Sequence, residues 1–163
     1  MERNRAFKIF TSKLLPHVKQ SWTRFLVCGS YRRGLPNVRD LDIVVIGDMG
    51  ATRDIARRIG WTITIGVNGA TKTILRITKH NLSIDLLFTR PSCWGAATMH
   101  HTGPIGLNIA QRTKAKDLKG TLNQYGFFKD GKRVASRSEH GIYKALHMDY
   151  MTPTEREQAA WSR

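Results

Sequence analysis

Three aspartates stand where metal-assisted phosphoryl chemistry would need them. Asp40 and Asp42 lie two apart at the start of the apolar run 41–46 (LDIVVI). A strand repeats every two residues, so both side chains project from one face. Carboxylates held that close repel each other unless a cation neutralises them. Their hard oxygens suit magnesium. Asp85 sits in a second apolar run, 82–88 (LSIDLLF), between Ile84 and Leu86. A lone carboxylate there is costly to bury without a partner. If the two runs are neighbouring strands, the three carboxylates converge. Such a cluster could hold two metal ions for in-line nucleotidyl transfer. The plainer reading gives Asp40 a strand-end role and pairs Asp42 and Asp85 with arginines. D-x-D alone favours that reading, and the third aspartate brings the two about level.

Upstream of Asp40 runs Gly29-Ser30-Tyr31-Arg32-Arg33-Gly34, after the run 22–28 (WTRFLVC). Gly29 lets backbone approach a phosphate closely, and Ser30 offers a hydroxyl and an amide at the start of a short helix. Arg33 can make paired hydrogen bonds to phosphate oxygens. For this fragment alone, a glycine turn with a solvated basic pair is the commoner reading. Strand, Gly-Ser, basic helix, D-x-D and a later strand aspartate form a much rarer order. It points to a nucleoside triphosphate with metals.

Those residues need elements to hold them. Residues 3–19 place Phe7, Phe10, Leu14 and Leu15 at helical spacing, with a basic remainder and an interruption or end near Pro16. Strands are expected at 22–28, 41–46, 61–67, 71–78 and 82–88, and a short helix at 51–59. Asn68-Gly69-Ala70 is a hairpin signal. Residues 92–101 and 104–118 read as helices, the second with Arg112, Lys114, Lys116 and Lys119 on a basic face. Runs 121–128 and 132–135 flank a Lys129-Asp130-Gly131 turn. Ser138 can cap a helix to about Leu146, and the tail holding MTPTEREQ reads as polar and mobile at its end. The expected fold is α+β: a mixed or antiparallel sheet with helices on one face, then a small helical subdomain with a β-hairpin. The domains are drawn at 1–98 and 99–163. Trp22, Trp61 and Phe88 are assigned to the core, and His17, His80, His140 and His147 to the surface or to packing.

Among 163 residues, 27 are Lys or Arg and 12 are Asp or Glu, a formal net charge of +15. That excess suits nucleic acid. Cys28 and Cys93 suggest no disulfide framework and a reducing compartment. No run reads as a membrane span or signal peptide, so a cytoplasmic protein, in a host cell or a virion, is expected.

The ordered motifs resemble DNA polymerase family X, the polymerase beta family. The likeness runs from about Val27 to Glu157. It includes GSYRRG with D-L-D, Asp85 in SIDLLF, HHTGP at 100–104, Asn108 with Arg112, LNQYGFF, and Tyr150, Pro153, Arg156 and Glu157 near the end. The resemblance implies that Asp40, Asp42 and Asp85 are the catalytic and metal-binding residues for two Mg2+ (Mn2+ as a substitute). It implies that Gly29, Ser30 and Arg33 hold the triphosphate and that His100, His101 and Gly103 pack on sugar and base. Asn108 would touch the incoming base, and Arg112, with Lys114 and Lys116, the DNA. The chain departs from the family at His100-His101, where Tyr-Phe is usual, at Ser83, where an arginine commonly precedes the third aspartate, and at Gln124. The helix-hairpin-helix and lyase region is absent ahead of the expected palm, as in minimal viral members, so lyase activity is not expected.

The expected function is that of a DNA-directed DNA polymerase adding dNTPs to a primer 3′-OH, filling gaps in repair. Its partners would be a primer-template or gapped duplex and a dNTP, and it would act as a monomer. Template-independent addition to nucleic-acid ends or another acceptor, and a non-catalytic DNA-binding module, stand as alternatives.

Overall fold

The computed structural model describes residues 1–68 and 71–159. They form two compact units: Met1–Tyr31 with Leu35–Thr89, and Arg32–Gly34 with the described residues from Arg90 onward. The division falls ahead of the boundary drawn after residue 98. The whole is a mixed α/β protein, with a mixed sheet and helices.

The first unit begins with one continuous helical stretch. Helix α1 (Arg3–Ile9) runs into a π-helical segment over Phe10–Leu14, then α2 (Leu15–Val18) and a 3-10 turn over Lys19–Ser21. Pro16 lies at the start of α2, so the helical stretch is interrupted there by the π turn and does not end, the first of the two outcomes its position suggested. Proline has no N–H and crowds the preceding turn. The wider π turn just before it alters the hydrogen-bond register where an α-turn would be broken. Ala6, Phe10, Leu14 and Val18 are buried along this stretch.

Strand β1 (Trp22–Val27), helix α3 (Gly29–Arg32), β2 (Asp40–Gly47), α4 (Met49–Arg58), β3 (Thr62–Asn68), β4 (Thr71–Lys79) and β5 (Leu82–Phe88) complete the unit. The strands make one sheet in the order β1-β2-β5-β4-β3. Only β2 and β5 pair in parallel; the other neighbours are antiparallel. Parallel strands need a crossover connection, and here α4, β3 and β4 lie between them in sequence. The expected Asn68-Gly69-Ala70 turn lies partly outside the described residues, though β3 and β4 do pair antiparallel.

Strand alternation sorts the sheet's faces. Leu41, Ile43 and Val45 of β2, Leu82, Ile84 and Leu86 of β5, and Leu75 and Ile77 of β4 share one apolar cluster with the N-terminal helical residues and Ala56 of α4. The residues between them project from the other face. That face carries Asp40, Asp42, Asp85 and Arg76. Trp22 and Trp61 are buried, and Phe88 packs partly buried against the cluster. Trp22 Nε1 donates to Thr52 Oγ1 at 2.8 Å, satisfying both polar groups inside.

In the second unit, a 3-10 turn over Pro91–Cys93 leads into α5 (Trp94–Thr102) and α6 (Ile105–Asp117). Then follow β6 (Gly120–Asn123), β7 (Gly126–Lys129), β8 (Lys132–Ala135), α7 (Glu139–Ala145) and α8 (Pro153–Gln158). The run 121–128, read as one strand, is two. Asn123 Oδ1 accepts from Tyr125 N–H at 2.8 Å, an Asx turn that folds the chain back before Gly126. The result is a three-stranded meander, β6-β7-β8. The tail is helical too. Thr152 and Glu155 form a reciprocal capping box, and Pro153 sits at the first helical position. Ala96, Met99, Ala115, Leu122, Phe127, Ile142, Tyr143 and Leu146 make this unit's core. Gly95 abuts Ser138: a Cβ there would lie 2.3 to 2.4 Å from Ser138 backbone atoms, which lets α5 approach that closely.

Candidate active site

The parallel register of β2 on β5 sets the candidate site. Asp40 lies opposite Ser83, and Asp42 opposite Asp85. All four side chains leave the face away from the apolar cluster. The condition that the two aspartate strands be neighbours is therefore met. The carboxylates themselves are not gathered into one group. On β4, Arg76 stands opposite Asp85. Its Nε donates to Asp85 Oδ1 at 2.6 Å, and its Nη2 to Oδ2 at 2.5 Å. Among the described residues no group of three or more His, Cys, Asp or Glu side chains stands ready to hold a metal. The donor set still fits a divalent cation: three hard-oxygen carboxylates leave one face of adjacent strands. To join it, Asp85 would have to share with the cation an oxygen that Arg76 now holds, or release it. The fork and the charge of Asp85 push the Arg76 guanidinium further up, with weaker help from Asp40 and Asp42.

Gly29 is shaped to Asp42. It adopts φ +57°, and a Cβ there would sit 2.0 Å from Asp42 Oδ2. Only glycine leaves room for the carboxylate against the loop. Cys28 N–H donates to Asp42 O at 2.6 Å, tying the end of β1 to β2 at the same point. Ser30 follows in α3, half-buried.

In the second unit, Arg33 is engaged by protein. Its Nε donates to Glu157 Oε2 at 2.5 Å and its Nη1 to Thr102 O at 2.6 Å. The expected phosphate ligand is thus braced against the segment holding His100, His101 and Gly103. The rings of His100 and His101 meet edge-on, 5.0 Å between centroids. Burial, and then the neighbouring His100, hold His101 down to about 3. Burial and Arg112 lower His100 as well. His101 Nε2 is buried and makes no hydrogen bond among the described residues. Asn108 Nδ2 donates to His100 O at 2.8 Å, so α6 is latched to the end of α5. Arg112 and Lys116 are exposed on α6, and Lys114 is half-buried.

Sequence reading passed over a buried ion cluster in this unit. Glu139, at the start of α7, accepts from Arg156 Nη2 at 2.6 Å and is paired with Arg32 Nη1. Arg156 is fully buried. Burial pushes the Glu139 carboxyl up, but Arg32 and Arg156 outweigh it and leave it below its usual range. Arg32 Nη1 also donates to Thr102 Oγ1 at 2.7 Å. The sequence signal was slight: a glutamate just after a capping serine, and an arginine in the closing motif. Arg76 was missed because its partner depends on strand register.

Two comparisons bear on this arrangement. The family model described as DNA polymerase beta thumb matches residues 97–157. Curated relatives called repair DNA polymerase X, from African swine fever virus isolates, align over most of the chain. The protein of a Pretoriuskop tick isolate is 27% identical over 139 residues, covering 80% of each chain. That of a Namibian warthog isolate is 28% identical over 136 residues, covering 78% of each. Together with the ordered motifs, they make the chain a DNA polymerase. These likenesses support a family X polymerase of the minimal viral type.

Proposed function

We propose that this protein is a template-directed DNA polymerase that fills gaps during repair, joining a dNTP to a primer 3′-OH with two divalent metal ions. The observation that carries the reading is the Asp42–Asp85 register on adjacent parallel strands, with Gly29 moulded against the Asp42 carboxylate. Asp40 and Asp42 would ligate both ions, with Asp85 completing the site. When bound, Mg2+ or Mn2+ supplies charge neutralisation on the triphosphate and activation of the attacking hydroxyl. Asp85 would accept the proton of that hydroxyl. Gly29 and Ser30 would present backbone and hydroxyl donors to phosphate oxygens. Arg33, held at Nε and Nη1 by Glu157 and Thr102, would add fixed positive charge.

In the second unit, His100, His101 and Gly103 would pack on sugar and base. Both rings are neutral at pH 7, since burial lowers them. The site would then rely on shape and stacking there, not on charge. Asn108 would read the incoming base edge, and Arg112, Lys114 and Lys116 the DNA strand. On this reading the first unit is a nucleotidyltransferase palm and the second a thumb-like subdomain. The protein would work as a monomer in the host-cell cytoplasm or the virion.

The test is extension of a one-nucleotide gapped duplex, offering each dNTP separately with Mg2+. The template-complementary dNTP should be favoured, and Asp85→Asn should lower the rate by about a thousandfold or more. Addition that ignores the template base would replace this reading with terminal transfer. An unchanged rate in Asp85→Asn would remove the carboxylate mechanism.

A further inference from the structure

Asp42, Asp85 and Arg76 form one row across three strands, β2, β5 and β4, fixed by register. The flanking residues of β4, Leu75 and Ile77, are buried in the apolar cluster. Arg76 therefore leaves the aspartate face by strand alternation, with no choice of side. Its side chain is half exposed at 50%, whereas that of Asp85 is 18% exposed. Two parallel hydrogen bonds, at 2.6 and 2.5 Å, occupy both Asp85 oxygens. Ser83 is the residue two before Asp85, on the same strand and face. It carries no charge, and its hydroxyl stands 3.5 Å from Thr78 Oγ1.

We propose that Arg76 is the positioning residue of this site, supplying from the neighbouring strand the guanidinium that sets the plane of the Asp85 carboxylate and opposes metal entry until substrate arrives.

Two physical consequences follow from the fork. A planar guanidinium bound to both oxygens fixes where the carboxylate points, which a single ammonium does not. Its positive charge also offsets part of the repulsion among three carboxylates on one face. A metal that claims an Asp85 oxygen must share it with a guanidinium N–H or displace that donor, against the repulsion of the Arg76 charge. The free site therefore binds metal more weakly than three unopposed carboxylates would, but presents Asp85 in one orientation. A merely structural ion pair predicts neither effect.

The test uses the full chain and two independent readouts. The first is Mn2+ binding to the free protein, followed by the electron paramagnetic resonance signal of unbound Mn2+. The second is kcat and KM for the complementary dNTP on gapped DNA; this arm alone rests on the polymerase reading. Arg76→Ala should bind Mn2+ several-fold more tightly, while kcat falls about tenfold to a hundredfold and KM changes little. Arg76→Lys should fall between, since it keeps charge but not the fork. Arg76→Ala with Ser83→Arg should recover most of the turnover, because residue 83 projects from the same face two positions away. Unchanged or weaker Mn2+ binding in Arg76→Ala overturns the proposal. So does a kcat within twofold of the parent, or a double variant no better than the single one. If the parent protein extends no primer, the polymerase reading falls instead. The Mn2+ arm then decides Arg76 alone: tightening upholds its opposition to metal, and no change removes it.

Discussion

Gly29 separates two roles that glycines play in one loop. Gly34 also has positive φ, at +88°, but nothing lies within 4 Å of where its Cβ would be. Gly29→Ala would drive a methyl group into the Asp42 carboxylate and strain the backbone as well. We expect Gly29→Ala to abolish measurable primer extension and to destabilise its unit by about 2–4 kcal/mol, as overpacking and strain add. Gly34→Ala should cost only about 1 kcal/mol of backbone strain. Parallel urea denaturation and extension assays check the contrast, and equal effects would contradict it. His101 gives a second prediction. Its folded-state pKa, about 3, lies below the ordinary 6.5 because burial favours the neutral ring. The folded state then binds fewer protons than the unfolded chain between those values. Its contribution to stability is complete above pH 6.5 and is lost as pH falls toward 3. The lowered His100 acts with the same sign. Glu139, lowered from 4.5, adds to the loss only below that value. From pH 6.5 to 4.5 the unfolding free energy should fall by about 1–3 kcal/mol, at up to roughly 1.4 kcal/mol per pH unit. In His101→Phe most of this slope should disappear from urea midpoints. A slope as steep as the parent's would rule His101 out as its source.

Elements show how far residue patterns carry. Strand positions around the aspartates were legible because 41–46 and 82–88 are short, almost continuous apolar runs of strand length. Asp40, Asp42 and Asp85 could then be placed on a face from period alone. Which strand neighbours which could not, since register is settled by pairing across the sheet. Arg76 belongs to that second kind of information. Pro16 marked an interruption or an end without deciding between them: a proline breaks an α-turn, but a π turn ahead of it lets the helix continue. The tail was given no element because it is polar, although Thr152, Pro153 and Glu155 spell a helix start. Glu139 was silent because a buried ion cluster needs partners distant in sequence, here Arg32 and Arg156. Removing one member of such a cluster leaves buried charge uncompensated. Glu139→Ala should therefore destabilise the second unit by about 3–5 kcal/mol, read from urea unfolding. A loss below about 1 kcal/mol would mean that Arg156 finds other acceptors or water.

At the scale of the whole molecule, charge is the dominant property: +15 on 163 residues. Phosphate contacts release condensed counterions, so affinity for duplex DNA should fall steeply with salt, at about −0.9 in log–log slope per phosphate engaged. The slope counts contacts, and substitutions can apportion it. Arg53 on α4 is tied to Asp54 at 2.9 Å, which offsets part of its charge, whereas Arg57 and Arg58 share that exposed helix end. On α6, Lys116 is exposed, with Arg112 one turn earlier. A lysine that meets only phosphate carries no sequence information. Lys116→Gln should thus flatten the slope by about 0.9 and weaken every gapped duplex alike. Arg112→Ala should do more. If it contacts the template strand near the incoming base, discrimination between complementary and mismatched dNTPs should fall along with affinity. Binding isotherms at several salt concentrations, beside single-nucleotide extension with each dNTP, separate the two effects. Equal loss of affinity with intact discrimination in Arg112→Ala would reduce that residue to one more phosphate contact, and would move template reading elsewhere on the second unit.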